Sequence, residues 1–442
     1  MIYMSSKAQI IKCTAREILD SRGNPTVEAS VVLSDGNIGT ASVPSGASTG
    51  IYEAVEKRDG DSKRFGGKGV LTAVGGICRV ISPALVGVYV SEQSEIDRIL
   101  CELDGTENKE RLGANAILSV SLAAARAAAN SYKIPLYKYI GGISAVRLPV
   151  PMMNIVNGGA HATNNIDIQE FMICPINAPS FSDALRMGSE IYHTLGRILK
   201  SEGKSVSVGD EGGFAPNLDS DAAAIEYIIR AIEESGYSTD DVKIALDVAA
   251  SEWYSENDGN YHLRKRGKTL SCDKVIEYMS SLVKSYPIIS IEDPLDQRDF
   301  EGWRKISDAL GDKIMLVGDD LFVTSEERVR YGIENGIANS VLIKPNQIGT
   351  LSEVLDVIKV AKNSEYKCIM SHRSGETEDT TIADLSVGFG TEFIKTGAPC
   401  RSDRVAKYNR LLRIESSIGG SAIYGLSAAK SKPIHKTSCC AD

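Results

Sequence analysis

In this chain of 442 residues, six polar side chains recur at or near the ends of short apolar runs. KIALDVAA carries Asp247, IISIEDP carries Glu292, IMLVGDD carries Asp319, SVLIKPN carries Lys344, KCIMSHRSGE carries His372 and EFIKTGAP carries Lys395. Three carboxylates gathered in one place repel one another unless they are protonated or bind a cation. Oxygen donors without a cysteine or histidine cluster suit a hard ion, Mg2+ first and Mn2+ second. Lys344 follows the run Ser340-Val341-Leu342-Ile343, which reads as a buried strand, so its ammonium needs partners or a task. Partly desolvated and close to a cation, it is expected to lose its proton more readily. A neutral lysine beside Mg2+ can take a proton from a carbon next to a carboxylate. Taken singly, each acid reads equally well as a cap on the following helix, and each lysine as half of a salt bridge. Their recurrence is what points to a site.

Other candidates stand in loops. SHRSGET sets Arg373, which can fork two oxygens of a phosphate or carboxylate, beside Ser374, a hydrogen-bond donor. VGDEGGFAPN puts Glu211 before two glycines that allow close approach of a ligand to the backbone. IQEFMI places Gln169 and Glu170 in an apolar strand, where a buried carboxyl either has a raised pKa and serves as an acid or pairs with a lysine. His161 in GGAHATNN and Ser48 in SGASTG sit in glycine-containing loops suited to be lids. GGKG is no phosphate-binding P-loop, since Gly69 follows Lys68, and no HExxH occurs.

The elements that position these residues fall into two parts. Ile11 to Leu19 and Thr26 to Leu33 alternate in hydrophobicity around the turn-rich Asp20-Ser21-Arg22-Gly23-Asn24-Pro25. Helical patterns follow, ending in the alanine-rich SVSLAAARAAANSYK. This predicts a smaller α+β domain over 7–145. From 146 to 432 the rhythm changes to one strand plus one helix per step. The six polar residues are spaced by 45, 27, 25, 28 and 23 residues. Repeated βα units imply a parallel sheet buried on both faces, and about 290 residues is the scale of a (β/α)8 barrel, with a doubly wound open sheet as the alternative. In a barrel the strand C-termini form the active face, and all six residues stand there. Residues 433–442 read as a mobile tail.

Composition narrows the class further. The chain is 43% hydrophobic and 24% charged, with a net charge of −9, which fits a globular protein and argues against nucleic acid as the main partner. Nine cysteines without CxxC spacing suggest reduced thiols and a cytoplasmic setting. No apolar stretch approaches the ~20 residues of a membrane span, and no signal peptide is evident. The basic run Arg264-Lys265-Arg266-Gly267-Lys268 reads as a solvated turn.

LDSRGNPTVE, VPSGASTG, IQEFMI, VGDEGGFAPN, SIEDPLD, KPNQIGT, SHRSGETEDT and IKTGAPCRSDRVAKYNRLLRIE resemble enolase motifs, in the family's order, from residue 19 to 415. Pro345 and other details are similar to archaeal-type members. The resemblance implies a lyase of glycolysis and gluconeogenesis that interconverts 2-phosphoglycerate with phosphoenolpyruvate and water. It implies Lys344 as the base at C2 and Glu211 as the acid at the C3 hydroxyl, with Glu170 beside it. Asp247, Glu292 and Asp319 match ligands of a first Mg2+, and Ser48 matches a ligand of a second that arrives with substrate. Arg373 and Ser374 match a phosphate clamp, Lys395 and His372 substrate-positioning groups, and His161 and Gln169 loop and pocket contacts. A homodimer or octamer is implied too. The competing reading within enzymes is a related Mg2+-dependent dehydratase or racemase. Pro345 removes a backbone donor, which its strand is expected to tolerate.

Overall fold

The computed structural model describes residues 8–46 and 50–426, so Ser48 and the tail 433–442 lie outside the described residues. The N-terminal part begins with an antiparallel meander of β1 (Ile10–Leu19), β2 (Pro25–Leu33) and β3 (Ile38–Ser42). The turn between β1 and β2 is built by Asp20, whose Oδ1 accepts from the amides of Arg22 and Asn24, each at 2.8 Å. β2 buries every second side chain, as a half-covered strand must. Its cover is helix α2 (Ala114–Ser131), which follows α1 (Gln93–Asp104). The alanine richness of α2 answers a close approach: a Cβ on Gly39 of β3 would lie 2.1 Å from the Ala123 carbonyl.

The second part is a closed barrel of eight strands. In chain order these are β4 (Val150–Asn157), β5 (Glu170–Cys174), β6 (Lys243–Asp247), β7 (Ile288–Glu292), β8 (Met315–Gly318), β9 (Ser340–Ile343), β10 (Lys367–Ser371) and β11 (Phe393–Lys395). β4, β5 and β9 are buried at every position, because helices cover the outside and side chains fill the inside. Most outer helices start on a serine or threonine cap. Ser180, Ser220, Ser271, Ser325 and Thr350 each accept from the amide three residues on.

The expectation of a wholly parallel sheet is corrected in one place. β5 runs antiparallel to both β4 and β6. The segment between β4 and β5 forms only the single turn Gly159–His161 and no crossover helix, so the chain returns as a hairpin. Two helices, α3 (Phe181–Ser201) and α4 (Asp221–Glu234), then lead to β6. From β6 to β11 all pairings are parallel. Pro345 takes nothing from the sheet: β9 ends at Ile343, and Pro345 opens a short helix, Pro345–Ile348, where its missing donor is unneeded.

The N-terminal part is fastened across the barrel mouth. Ser45 and Gly375 exchange backbone hydrogen bonds at 2.8 and 2.9 Å, and Arg126 Nη2 donates to Asp379 Oδ1 at 3.1 Å. Among the described residues, no helix is long and apolar enough to cross a membrane.

Candidate active site

Asp247, Glu292 and Lys395 end β6, β7 and β11, while Asp319, Lys344 and His372 follow β8, β9 and β10 directly. Parallel register therefore carries all six to one mouth. Glu170 reaches the same mouth from the opposite end of a strand: it is the first residue of antiparallel β5 and pairs with Asp247. Gln169, just before β5, is buried beside it, with Nε2 3.4 Å from Asp247 Oδ2.

Lys395 is the hub of the acids. Its Nζ lies 2.8 Å from Asp247 Oδ2, 2.9 Å from both Glu292 oxygens and 3.3 Å from Glu170 Oε2. Burial works against its charge, but Asp247, Glu170 and Glu292 outweigh that and hold the ammonium well above its ordinary pKa. Even so, negative charge is in surplus. Burial, with Asp247 next, pushes the Glu292 carboxyl well above its usual range. Asp319 turns to Lys344 and accepts from Gln347 Nε2 at 2.9 Å. Asp247 and Glu292 thus share Lys395, while Asp319 faces a different ammonium.

Among the described residues, two groups bring metal-donor atoms within 4.8 Å of one another: Asp293 with Asp319 and Asp320, and His161 with Glu170 and Glu211. Asp293 has a left-handed backbone (φ 40°), and its oxygens accept from the Asp319 and Asp320 amides at 3.0 and 2.8 Å. Burial, then Asp319, pushes Asp320 up to about 7. Buried carboxylates whose mutual repulsion is only partly offset by lysines are compatible with a divalent cation.

The expected acidification of Lys344 belongs to a site that holds a cation; the protein's own groups act the other way. Burial favours its neutral form, yet the Asp319 carboxylate overrides burial and holds its pKa above the ordinary lysine value. It is an ammonium as long as Asp319 faces it.

At the other end, Glu211 and Glu170 form a carboxyl pair with His161, whose Nδ1 lies 3.4 Å from Glu170 Oε1 and 3.9 Å from Glu211 Oε1. Burial, with Glu211 next, drives Glu170 well above the usual range. Burial also opposes ionisation of Glu211, but His372, His161 and Arg404 hold its pKa well below that range. Of the two carboxyls, Glu170 thus favours its protonated form and Glu211 its ionised form. Asn154 Nδ2 donates to Glu211 Oε2 at 3.1 Å, and His372 Nε2 lies 3.4 Å from the same oxygen.

Arg373 and Ser374 are buried side by side at the mouth. Arg373 grips Glu53 with both arms, Nη1 to Oε2 at 2.8 Å and Nη2 to Oε1 at 3.1 Å. Glu53 follows the SGASTG segment, so a carboxylate from the N-terminal part meets the expected phosphate clamp.

The basic run is a turn in which Arg264, Gly267 and Lys268 are exposed, as expected, but Lys265 and Arg266 are half-buried and paired. Lys265 Nζ donates to the carbonyls of Gly159 and Ala162 at 2.7 and 2.8 Å, bracketing His161. Arg266 pairs with Asp221 and, at 3.2 Å, with Asp167. Two half-buried cations thus lace the β4–β5 loop to its neighbours.

Sequence reasoning missed Glu53, Gln347, Lys265 and Arg404. Glu53 lies just beyond VPSGASTG, and Gln347 and Arg404 lie inside quoted motifs, so a position-by-position search of those motifs could have found them. Lys265 offered no such signal.

A closed barrel whose mouth gathers buried acids and lysines, capped by a small α+β part, defines a barrel enzyme for a small charged molecule with a cation-compatible site. Family models match in two adjoining stretches: "Enolase, N-terminal domain" over residues 10–140 and "Enolase, C-terminal TIM barrel domain" over residues 145–432. The chain belongs to the enolase family. It is a lyase of the enolase superfamily, acting on a small molecule.

Proposed function

We propose that the chain catalyses the reversible dehydration of 2-phospho-D-glycerate to phosphoenolpyruvate. The observation that carries this reading is one pocket lined by Lys344, Glu211, Arg373 and Ser374 together with Lys395. A base, an acid group, an anion clamp and a second cation are what abstraction of a proton beside a carboxylate and loss of a β-hydroxyl require.

Arg373 and Ser374 bind the substrate phosphate, and Lys395 faces its carboxylate. Lys344 Nζ takes the C2 proton. It is able to do so when Asp319 is committed elsewhere, since that carboxylate is what keeps it protonated. The electron pair from the C2–H bond becomes the C2–C3 double bond. The C3–O bond breaks, and the oxygen leaves as water with the proton that Glu170 holds, relayed through Glu211. Asp247, Glu292 and Asp319 would hold one divalent cation, and Ser48 a second that comes with substrate. Mg2+ held there would supply positive charge beside the substrate carboxylate. His161 closes over the acid pair and Gln169 orients Asp247. The reading carries with it a homodimer or octamer and a cytoplasmic place in glycolysis and gluconeogenesis.

The test is ultraviolet detection of phosphoenolpyruvate from 2-phosphoglycerate with Mg2+, then chelator, then Mg2+ again. Turnover that stops and returns supports reaction and metal together. Absence of turnover by folded protein with Mg2+ present, alongside activity on non-phosphorylated acid sugars, would move the chain to another reaction of the superfamily.

A further inference from the structure

Arg404 lies in helix α5 (Ser402–Ile418), fully buried, outside the pocket that holds the reacting groups. Its guanidinium is aimed at the back of that pocket. Nη1 is 2.6 Å from His372 Nδ1 and 2.6 Å from the Arg373 carbonyl. Nη2 is 2.6 Å from the Ser374 carbonyl and 3.2 Å from the Asp210 carbonyl. Nε faces Asp403 Oδ2 at 2.8 Å. One planar group thus ties together the two loops that carry the acid and the anion clamp.

The contact with His372 has a consequence for protons. A guanidinium donates and never accepts. His372 Nδ1 must therefore present its lone pair, and the neutral ring carries its hydrogen on Nε2. That N–H lies on the side of Glu211 Oε2, 3.4 Å away and longer than a formed hydrogen bond, while Asn154 donates to the same oxygen at 3.1 Å. A donor and a second N–H turned toward one oxygen both favour the ionised form of Glu211.

We propose that Arg404 is a positioning residue for the reaction: it fixes His372 in the Nε2–H tautomer and so turns a donor toward Glu211, favouring its carboxylate form in the resting enzyme. This rests on the dehydration reading for the part Glu211 plays, and on geometry alone for the tautomer. The charged groups facing His372 are Glu211, Arg404 and Glu376. Burial, opposed by Glu211 and aided by Arg404, brings the ring down to about 4, so it is neutral across the working range.

The experiment uses the full chain with 15N-labelled histidine. Five histidines give a tractable spectrum, and His372→Asn assigns the resonance. At pH 7 the wild-type ring is expected to show an unprotonated Nδ1 and a protonated Nε2. A protonated Nδ1, or an imidazolium, overturns the proposal with no substrate involved. Failure of 2-phosphoglycerate turnover with this tautomer in place sinks the reaction and spares the tautomer. Arg404→Met is expected to average the tautomers, lower kcat about 100-fold with little change in KM, and move the acid limb of the pH profile upward. Arg404→Lys, still a pure donor, restores the Nε2–H form and part of kcat. A lowered kcat with wild-type tautomer and wild-type pH profile in Arg404→Met makes the residue merely structural. Where Arg404→Met does not fold, the wild-type spectrum decides.

Discussion

Arg373 and Glu53 meet in a two-pronged ion pair, at 2.8 and 3.1 Å, that joins the barrel to the N-terminal part at the place where an anionic group of the substrate is expected. Both side chains are almost wholly buried. Removing the Glu53 charge leaves a buried guanidinium without its forked partner, a loss of about 3 kcal/mol. Glu53→Gln should lower the melting temperature. Added inorganic phosphate should then raise it by more than it raises the wild type, because a guanidinium relieved of the Glu53 charge is a better anion site. Differential scanning calorimetry with and without phosphate checks this. Equal stabilisation of both proteins would show that Glu53 and phosphate do not compete.

Lys344→Ala should abolish exchange of the C2 proton of 2-phosphoglycerate with solvent, by at least about 1000-fold. Mass spectrometry of substrate recovered from deuterated buffer reads the exchange directly. Persistence at the wild-type rate would move the base elsewhere.

His372 gives a pH signature of stability. In the unfolded chain its ring titrates at the ordinary value of 6.5; in the fold it titrates near 4. Between those values the unfolded state binds the extra proton. The contribution is present in full above pH 6.5 and is lost as pH falls toward 4. It amounts to about 3 kcal/mol in all. His372→Asn removes this component, so the gap in unfolding free energy between wild type and variant should shrink from pH 7 to pH 5. Urea titrations at both pH values measure it, and a constant gap would place the His372 pKa near its free value.

Lys265→Met should loosen the loop around His161. Two charge-assisted hydrogen bonds to the Gly159 and Ala162 carbonyls disappear. A loss of about 1.5 kcal/mol corresponds to about a tenfold rise in KM. Steady-state kinetics and limited proteolysis within 158–169 should report it together. Unchanged KM with unchanged protease sensitivity would return the basic run to the role of a surface turn.

Much of this site could be read from the chain because its residues terminate strands. An apolar run ending in Asp247, Glu292 or Lys395 announces both the strand and the direction in which its last side chain faces. Glu170 was found as a buried acid, but its route to the mouth was not, since nothing in EFMIC reveals that β5 runs backward. The tethers were harder. Lys265 reaches across about 100 residues to the His161 loop, and a run of basic residues looks the same whether it meets water or carbonyl oxygens. The proton positions were least accessible. Lys344 is expected to be acidified beside a cation; facing Asp319 it is held protonated instead, and that balance depends on which partner each ammonium faces.

The reversed strand has a consequence for modularity. Six strands from β6 to β11 obey one grammar, in which the last residue of a strand, or the one directly after it, faces the mouth. β4 and β5 break it, since they form a hairpin whose turn must lie over that same mouth. Copying or exchanging a unit from the regular part could rebuild the wall, but not the place where a strand's opening residue, Glu170, meets the closing residue of its neighbour, Asp247. A barrel of this kind has one seam, and its proton chemistry is stitched along it.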